Sequence, residues 1–119
     1  MDVVAKTKYV RMSPSKGRDI ARKLRGLRAE EALRITRLNP RKAAFHIHKT
    51  LRSAVANAEN NHDLESNELR VKEALIEEGP RMRRYWRRAR GGASPIMKRL
   101  CHVRVVLTDG IEAEEEDRE

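Results

Sequence analysis

The chain has a single cysteine, Cys101, which excludes an internal disulfide and any multi-thiolate zinc site and agrees with a reducing compartment. It also lacks an apolar run approaching the roughly 20 residues needed to cross a bilayer. Asp2, Lys6 and Lys8 interrupt every apolar stretch near the N-terminus, so the charged-then-apolar layout of a secretory signal is missing and a cytosolic protein is expected. Aromatic residues make up only 3% of the chain, against 38% charged. The most informative absence is local. Between Glu78 and Asp109 there is no acidic residue, yet the segment holds Arg81, Arg83, Arg84, Arg87, Arg88 and Arg90, followed by Lys98, Arg99 and Arg104. Arginine forks match phosphate oxygens bidentately and stack on planar bases, and Tyr85 and Trp86 stand within the same run as stacking groups. RNA is the partner this composition favours.

The whole chain agrees with the segment. Its 119 residues suit one domain with a modest core, and 27 Lys and Arg against 18 Asp and Glu give a formal charge of +9. Such a balance favours nucleic acid or another polyanion. The acids are segregated: Glu112, Glu114, Glu115, Glu116, Asp117 and Glu119 crowd the end of the sequence, so the remainder is more basic than the total implies. The expected organisation is a globular RNA-binding domain over residues 1–110 and an acidic, disordered tail over 111–119.

Residues 3–10 alternate loosely, with Lys6 and Lys8 on one side and Ala5, Thr7 and Tyr9 on the other, and read as a strand. Ser13-Pro14 predicts a helix start in which the serine hydroxyl caps free N–H groups, with Gly26 as the stop after about Arg25. A short second helix from about Ala29 carries Ala32, Leu33 and Ile35 and ends before Asn39-Pro40, where Asn39 can cap the next element. From Arg41 to about Asn60 the residues Ala44, Ile47, Leu51, Ala54, Val55 and Ala58 recur at three- and four-residue steps, marking a central core helix closed by Asn60-Asn61-His62-Asp63. Two further strands are predicted. In one, Leu69, Val71 and Leu75 alternate with Arg70, Lys72 and Ile76; in the other, Cys101, Val103, Val105 and Leu107 face one way. The connection between them, about residues 79–97, is too long for an ordinary hairpin loop. If its arms pair outward at ~3.3 Å per residue, its tip stands ~30 Å from the domain. Gly91-Gly92 would free the backbone near that tip, while Pro80 and Pro95 limit where pairing persists. The predicted class is α+β: three helices packed on a small three-stranded antiparallel sheet, with a long basic β-hairpin extension at about 79–99.

Several motifs occur together in one order. Val10-Arg11-Met12-Ser13-Pro14-Ser15-Lys16 comes first, then Ser53-Ala54-Val55-Ala56-Asn57-Ala58-Glu59-Asn60-Asn61 and Glu78-Gly79-Pro80. Arg88-Ala89-Arg90-Gly91 and Lys98-Arg99-Leu100-Cys101-His102-Val103 complete the set. From about Tyr9 to Leu107 the chain resembles the bacterial ribosomal protein twenty-two family of the large subunit. The resemblance implies a globular domain near the mouth of the nascent-chain exit tunnel and a hairpin threaded through large-subunit (23S-type) rRNA, lining the tunnel close to its constriction and to the macrolide site. It further implies RNA binding early in subunit assembly, and as partners the rRNA, neighbouring large-subunit proteins and the nascent polypeptide, in a cytoplasmic ribosome with no membrane and no obligate homo-oligomer. Carried over by position, the tunnel-facing tip falls on Arg84, Tyr85, Trp86, Arg87, Arg88, Ala89, Arg90, Gly91 and Gly92. The hairpin's rRNA contacts fall on Arg81, Arg83, Arg84, Arg88, Arg90, Lys98 and Arg99, with His102 beside them. Gly92 stands where the family commonly has arginine, Arg87 where it commonly has proline, and Trp86 where an aliphatic is usual; the Glu-rich end lies outside the pattern.

A second RNA-facing patch is expected from Lys6, Lys8, Arg11, Ser13, Lys16 and Arg18, with Arg22 and Lys23 as weaker members; a solvated helix face is the competing reading for each. His46 and His48 lie two apart on a helix and point apart, which excludes joint metal ligation. His102 suits either a phosphate contact or packing, and Cys101 reads as a small apolar strand residue. The sequence contains no catalytic constellation, and Glu77-Glu78 reads as a polar strand end, so neither enzyme activity nor a cofactor is expected. The rival to a ribosomal role is a free-standing RNA-binding regulator or RNA chaperone using the same arginines.

Overall fold

A computed structural model describes residues 2–65 and 68–109; the acidic stretch 111–119 lies outside the described residues. Among these residues the order is β1 (Asp2–Val10), α1 (Ser15–Leu24), α2 (Ala29–Leu38), α3 (Lys42–His62), β2 (Arg70–Arg87), a 3-10 turn (Ala89–Gly91) and β3 (Ala93–Thr108). The strands form one antiparallel sheet in the order β1-β3-β2, and the helices cover one face of it, which gives the predicted α+β class.

The helices follow their apolar spacing. In α1 the buried Gly17, Ile20, Ala21 and Leu24 fall on one stripe, and in α3 all six residues of the predicted stripe are buried, joined by Ala43 and Thr50. The helix α3 continues to His62 and closes at Asp63, whose left-handed conformation returns its N–H to the Ala58 carbonyl. Leu33 and Ile35 of α2 pack only partly against the core, while Ala29, Ala32 and Thr36 are buried. Thr36 Oγ1 donates back to the Ala32 carbonyl at 2.9 Å and lies 3.0 Å from His48 Nδ1, so His48 ties α3 to α2. Asn39 does not cap α3: Arg41 holds the N-cap position with no side-chain cap, and Asn39 Oδ1 instead accepts the Arg41 N–H at 3.0 Å in the turn ahead of the helix. The Ser13 cap does not form. Pro14 already has helical dihedrals, the Lys16 N–H goes to the Ser13 carbonyl, and the Ser13 hydroxyl meets Ser15 Oγ at 3.1 Å instead.

The sheet departs from the sequence pattern where it bulges. Between Val71 and Glu73 one extra residue enters β2, so the strand changes sides: Val71, Ala74 and Ile76 point into the core and Leu75 is half-buried. The predicted set of Leu69, Val71 and Leu75 against Ile76 is thereby corrected, because period-two alternation fails across a bulge. Tyr9 is corrected for the same reason. A register shift between Thr7 and Val10 places Tyr9 at φ 59° and leaves it 62% exposed, with Val10 taking the core position. In β3, by contrast, Cys101, Val103, Val105 and Leu107 are all buried as predicted. The segment joining α1 to α2 also pairs with β2, through Gly26 N–H to Val71 O, Val71 N–H to Leu27 O and Ala29 N–H to Leu69 O.

The long connection is strand for most of its length. Pairing runs without a loop from Arg70↔Thr108 to Arg87↔Ala93, and the molecule measures 63 × 31 × 24 Å, its length coming from this ribbon. Pro95 does not end the ladder; it lies opposite Tyr85, and in a two-stranded ribbon half the N–H groups face solvent and can be dispensed with. Gly79-Pro80 marks a second bulge, between Glu78 and Arg81. A Cβ at Gly79 would lie 3.1 Å from the Leu100 carbonyl oxygen, so the strands approach closely only because that position is glycine. Gly79→Ala should lower stability by about 1–3 kcal/mol, measured by denaturant unfolding, because backbone rather than a flexible side chain must yield.

Candidate nucleic-acid interface

Beyond the second bulge the ribbon has almost no core to bury. Its register sets Arg81 opposite Arg99, Arg83 opposite Met97, Tyr85 opposite Pro95 and Arg87 opposite Ala93 on one face. Met82 with Lys98, Arg84 with Ile96 and Trp86 with Ser94 make the other. Both faces therefore carry cations and one aromatic each. Tyr85 is 73% and Trp86 60% exposed, and as strand neighbours they point to opposite sides, so they cannot clamp a single base between them. Like charges directly across a ladder repel. Arg81 is relieved by Glu78 at 3.0 Å, at the base of the ribbon. Among the described residues, Arg83, Arg87 and Arg90 have no carboxylate partner.

The tip is a tight turn. Arg88 donates its backbone N–H to the Gly92 carbonyl at 2.8 Å and its Nε to Ser94 Oγ at 3.1 Å. Arg90 at φ 62° and Gly91 at φ 74° take consecutive left-handed conformations. Gly92 is different. Its φ of −73° and ψ of 156° are open to any residue, and a Cβ there would approach nothing nearer than the Ala89 carbonyl oxygen at 3.6 Å. The expectation of two permissive glycines thus holds for Gly91 alone, and arginine fits sterically at position 92.

Where the ribbon leaves the domain, Arg11, Met12 and Ser13 from the β1–α1 connection face Met82, Arg84, Met97, Lys98 and Arg99 across a groove of ≈ 650 Å³. Among the described residues no acidic side chain lines it. A smaller groove continues from Arg11 and Met12 to Lys16, Arg41 and Lys42. Arg41 binds the Lys16 carbonyl and Asp19 Oδ2, both at 2.6 Å, and Lys42 Nζ donates to the Arg11 carbonyl at 2.9 Å. The expected second patch is accordingly divided. Arg11, Ser13 and Lys16 join the base of the hairpin; Arg18 lines a separate hollow with Arg22 and Arg25 beside Ala74 and Ile76; Lys6 is held by Glu77 at 2.9 Å; Lys8 is exposed. His102 accepts the Tyr9 N–H on Nδ1 at 3.0 Å and meets the Tyr9 ring edge-on, which anchors the β1 bulge. Arg41 and Lys42 escape a reading of the sequence because only packing of the α3 start against the β1–α1 connection sets them beside Arg11. The methionines escape it because they are far apart in the chain.

Three carboxylates at the domain surface and the ribbon's root are held by cations. A hydrogen bond from Lys6 to Glu77, from Arg81 to Glu78 and from Arg41 to Asp19 keeps each carboxyl below its ordinary range. Burial pushes the Cys101 thiol up, consistent with its reading as a small apolar strand residue. Among the described residues no group of three or more His, Cys, Asp or Glu could hold a metal ion, and no helix is long and apolar enough to cross a membrane.

An α+β domain that holds out an acid-free, arginine-bearing ribbon defines a class of small basic protein. Known proteins give that class its family. Residues 5–108 match the family described as ribosomal protein L22p/L17e, and the chain belongs to it. A protein of Opitutus terrae named large ribosomal subunit protein uL22 is 54% identical over 110 residues, covering 92% of this chain and 97% of the relative. Its namesakes from Methylacidiphilum infernorum and Akkermansia muciniphila are 49% and 47% identical over 92% of this chain, covering 96% and 97% of their own lengths. Members of this family are structural rather than enzymatic.

Two outcomes follow from the geometry. Gly92→Arg should leave the unfolding midpoint within about 0.5 kcal/mol of the parent, whereas Gly91→Arg, forced to positive φ, should cost about 1–2 kcal/mol. The three carboxyls whose folded pKa is depressed stabilise the fold above their unfolded pKa and lose that contribution as pH falls through the folded one. A thermal-denaturation series should therefore decline between about pH 5 and pH 2, and Lys6→Met, which frees Glu77, should flatten part of the decline. An unchanged pH profile in that variant would refute the Lys6–Glu77 linkage.

Proposed function

We propose that this chain is a structural constituent of the large ribosomal subunit that binds large-subunit rRNA through its ribbon and the groove at the ribbon's base. The observation that carries this reading is the row of cations on both faces of a ribbon with no acid of its own beyond Glu78. Each phosphate contact releases condensed counterions, so binding is strong, salt-dependent and able to offset the cost of holding like charges together. A ribbon with two charged faces suits a surrounding polyanion better than a flat one, since a single contact plane would leave half of its arginines unused. Threading through folded rRNA meets that requirement, and it supports a part in subunit assembly in which the ribbon bridges RNA segments. At the far end, residues 84–92 form the wall of the nascent-chain exit tunnel, where Tyr85, Trp86 and the arginines of the tip meet the passing polypeptide. The domain end faces neighbouring large-subunit proteins in the cytoplasmic ribosome.

Sucrose-gradient sedimentation of a lysate in high salt should find the protein with the large subunit; a soluble pool with empty ribosomal fractions would overturn the assignment in favour of a free-standing RNA-binding regulator. For the purified chain and a large-subunit rRNA fragment, Arg83→Ala should reduce the slope of log affinity against log salt by about 0.7–0.9. Glu78→Gln should move it the other way by releasing Arg81 from its ion pair.

A further inference from the structure

A second groove lies between two helices and takes no residue from the ribbon. Leu33, Arg34, Arg37 and Leu38 of α2 face Arg52 of α3 across ≈ 560 Å³ of open space, with Glu30 at one end. Arg34, Arg37 and Arg52 are exposed, and among the described residues none of the three has a carboxylate partner. Leu38 beside them is 75% exposed. The acidic stretch of the chain leaves the sheet next to this groove. Strand β3 ends at Thr108, which pairs with Arg70, and Arg70 bridges in turn to Arg28, the residue before α2. Two strand spacings, ~10 Å, therefore separate the end of β3 from the start of α2, and Glu30 lies in the first turn of that helix.

We infer that the α2–α3 groove docks this chain's own acidic segment, residues 111–119, with its carboxylates on Arg34, Arg37 and Arg52 and its apolar Ile111 and Ala113 toward Leu33. The charges are complementary: the segment brings six carboxylates and one cation, Arg118, to three arginines. Its reach suffices, since residues 110–119 span at most ~33–36 Å and the ten-residue α2 is ~15 Å long. The ribbon is a poorer match. Its first cross-strand cation pair, Arg81 with Arg99, lies about nine residues back along β3, ~30 Å away, where a segment stretched to its limit would have little left to make contact. The hollow beside Arg18, Arg22 and Arg25 is smaller, at ≈ 160 Å³. Tethering raises the local concentration of the segment to the millimolar range, so exposed ion pairs that are weak singly become populated. Docked, the segment sets carboxylates where phosphates would otherwise bind and leaves the ribbon and its basal groove as the surfaces open to RNA. The contact itself needs no RNA.

The test compares the full ¹⁵N-labelled chain with a full-length variant, Glu114→Gln/Glu115→Gln/Glu116→Gln, through the Nε–Hε resonances of the arginines at low salt. Arg34, Arg37 and Arg52 should shift between the two chains, while Arg83 and Arg87 of the ribbon and Arg22 of the hollow should not. At about 1 M salt, where the screening length is ~3 Å, the difference should be lost. Tenfold dilution should leave it unchanged. In the variant Arg34→Gln/Arg37→Gln, altered at two exposed positions, most of the shift at Arg52 should disappear. Coincident arginine resonances in the two chains at low salt, or shifts centred on Arg22 or on the ribbon, would overturn the docking. A difference that fades on dilution would assign the segment to the groove of a second copy and would equally overturn it. Neither result bears on the sedimentation and salt-slope measurements that test RNA binding.

Discussion

The β2–β3 ladder is the constraint on which the rest of the molecule depends. Its inner half closes the hydrophobic core, since Val71, Ala74 and Ile76 lie opposite Leu107, Val105 and Val103 under the helices. Its outer half continues the same register into solvent as far as Arg87↔Ala93. A hairpin of two strands alone is marginal in water, so the ribbon's order derives from an inner half that is a three-stranded, helix-covered sheet. The domain is in effect a foundation: the core fixes the direction in which the ribbon leaves, and two bulges on β2 adjust its twist and the side to which each cation points.

Charge is distributed in keeping with that division. Within the domain and at the ribbon's root, Lys6–Glu77, Arg41–Asp19 and Arg81–Glu78 pair cation with anion. Outward from Glu78 the ribbon has no carboxylate with which to repeat the arrangement, and Arg81 faces Arg99 across the ladder. A surface of this kind is electrostatically incomplete alone and is completed by a polyanion. The L22p/L17e family membership of residues 5–108 agrees with the polyanion proposed as its partner, since ribosomal RNA is a dense lattice of phosphates.

Much of the candidate interface was visible before any fold was known, because an acid-free arginine run is a property of consecutive residues. What could not be read was which cations act together. Lys6 and Arg11, five residues apart, have different fates, one bound to Glu77 and the other on the rim of the basal groove. Tyr85 and Trp86, adjacent in sequence, serve opposite faces. The basal groove had no signature at all, since the β1–α1 connection and the two arms meet only in the folded chain.

By itself the sequence determined the helices and strands, the stripe of α3, the core face of β3 and the presence of a long basic hairpin. Each of these is set by local periodicity or local composition, which survive in any conformation the segment adopts. Only the tertiary structure decided that Ile76 rather than Leu75 enters the core, that Tyr9 leaves it, that Ser13 does not cap α1, that pairing passes through Pro95, and that Gly92 is not held to glycine by its backbone. The physical reason is common to them all. A bulge or a left-handed residue costs little locally and is selected by contacts distant in sequence, so the pattern of neighbours along the chain carries no record of it.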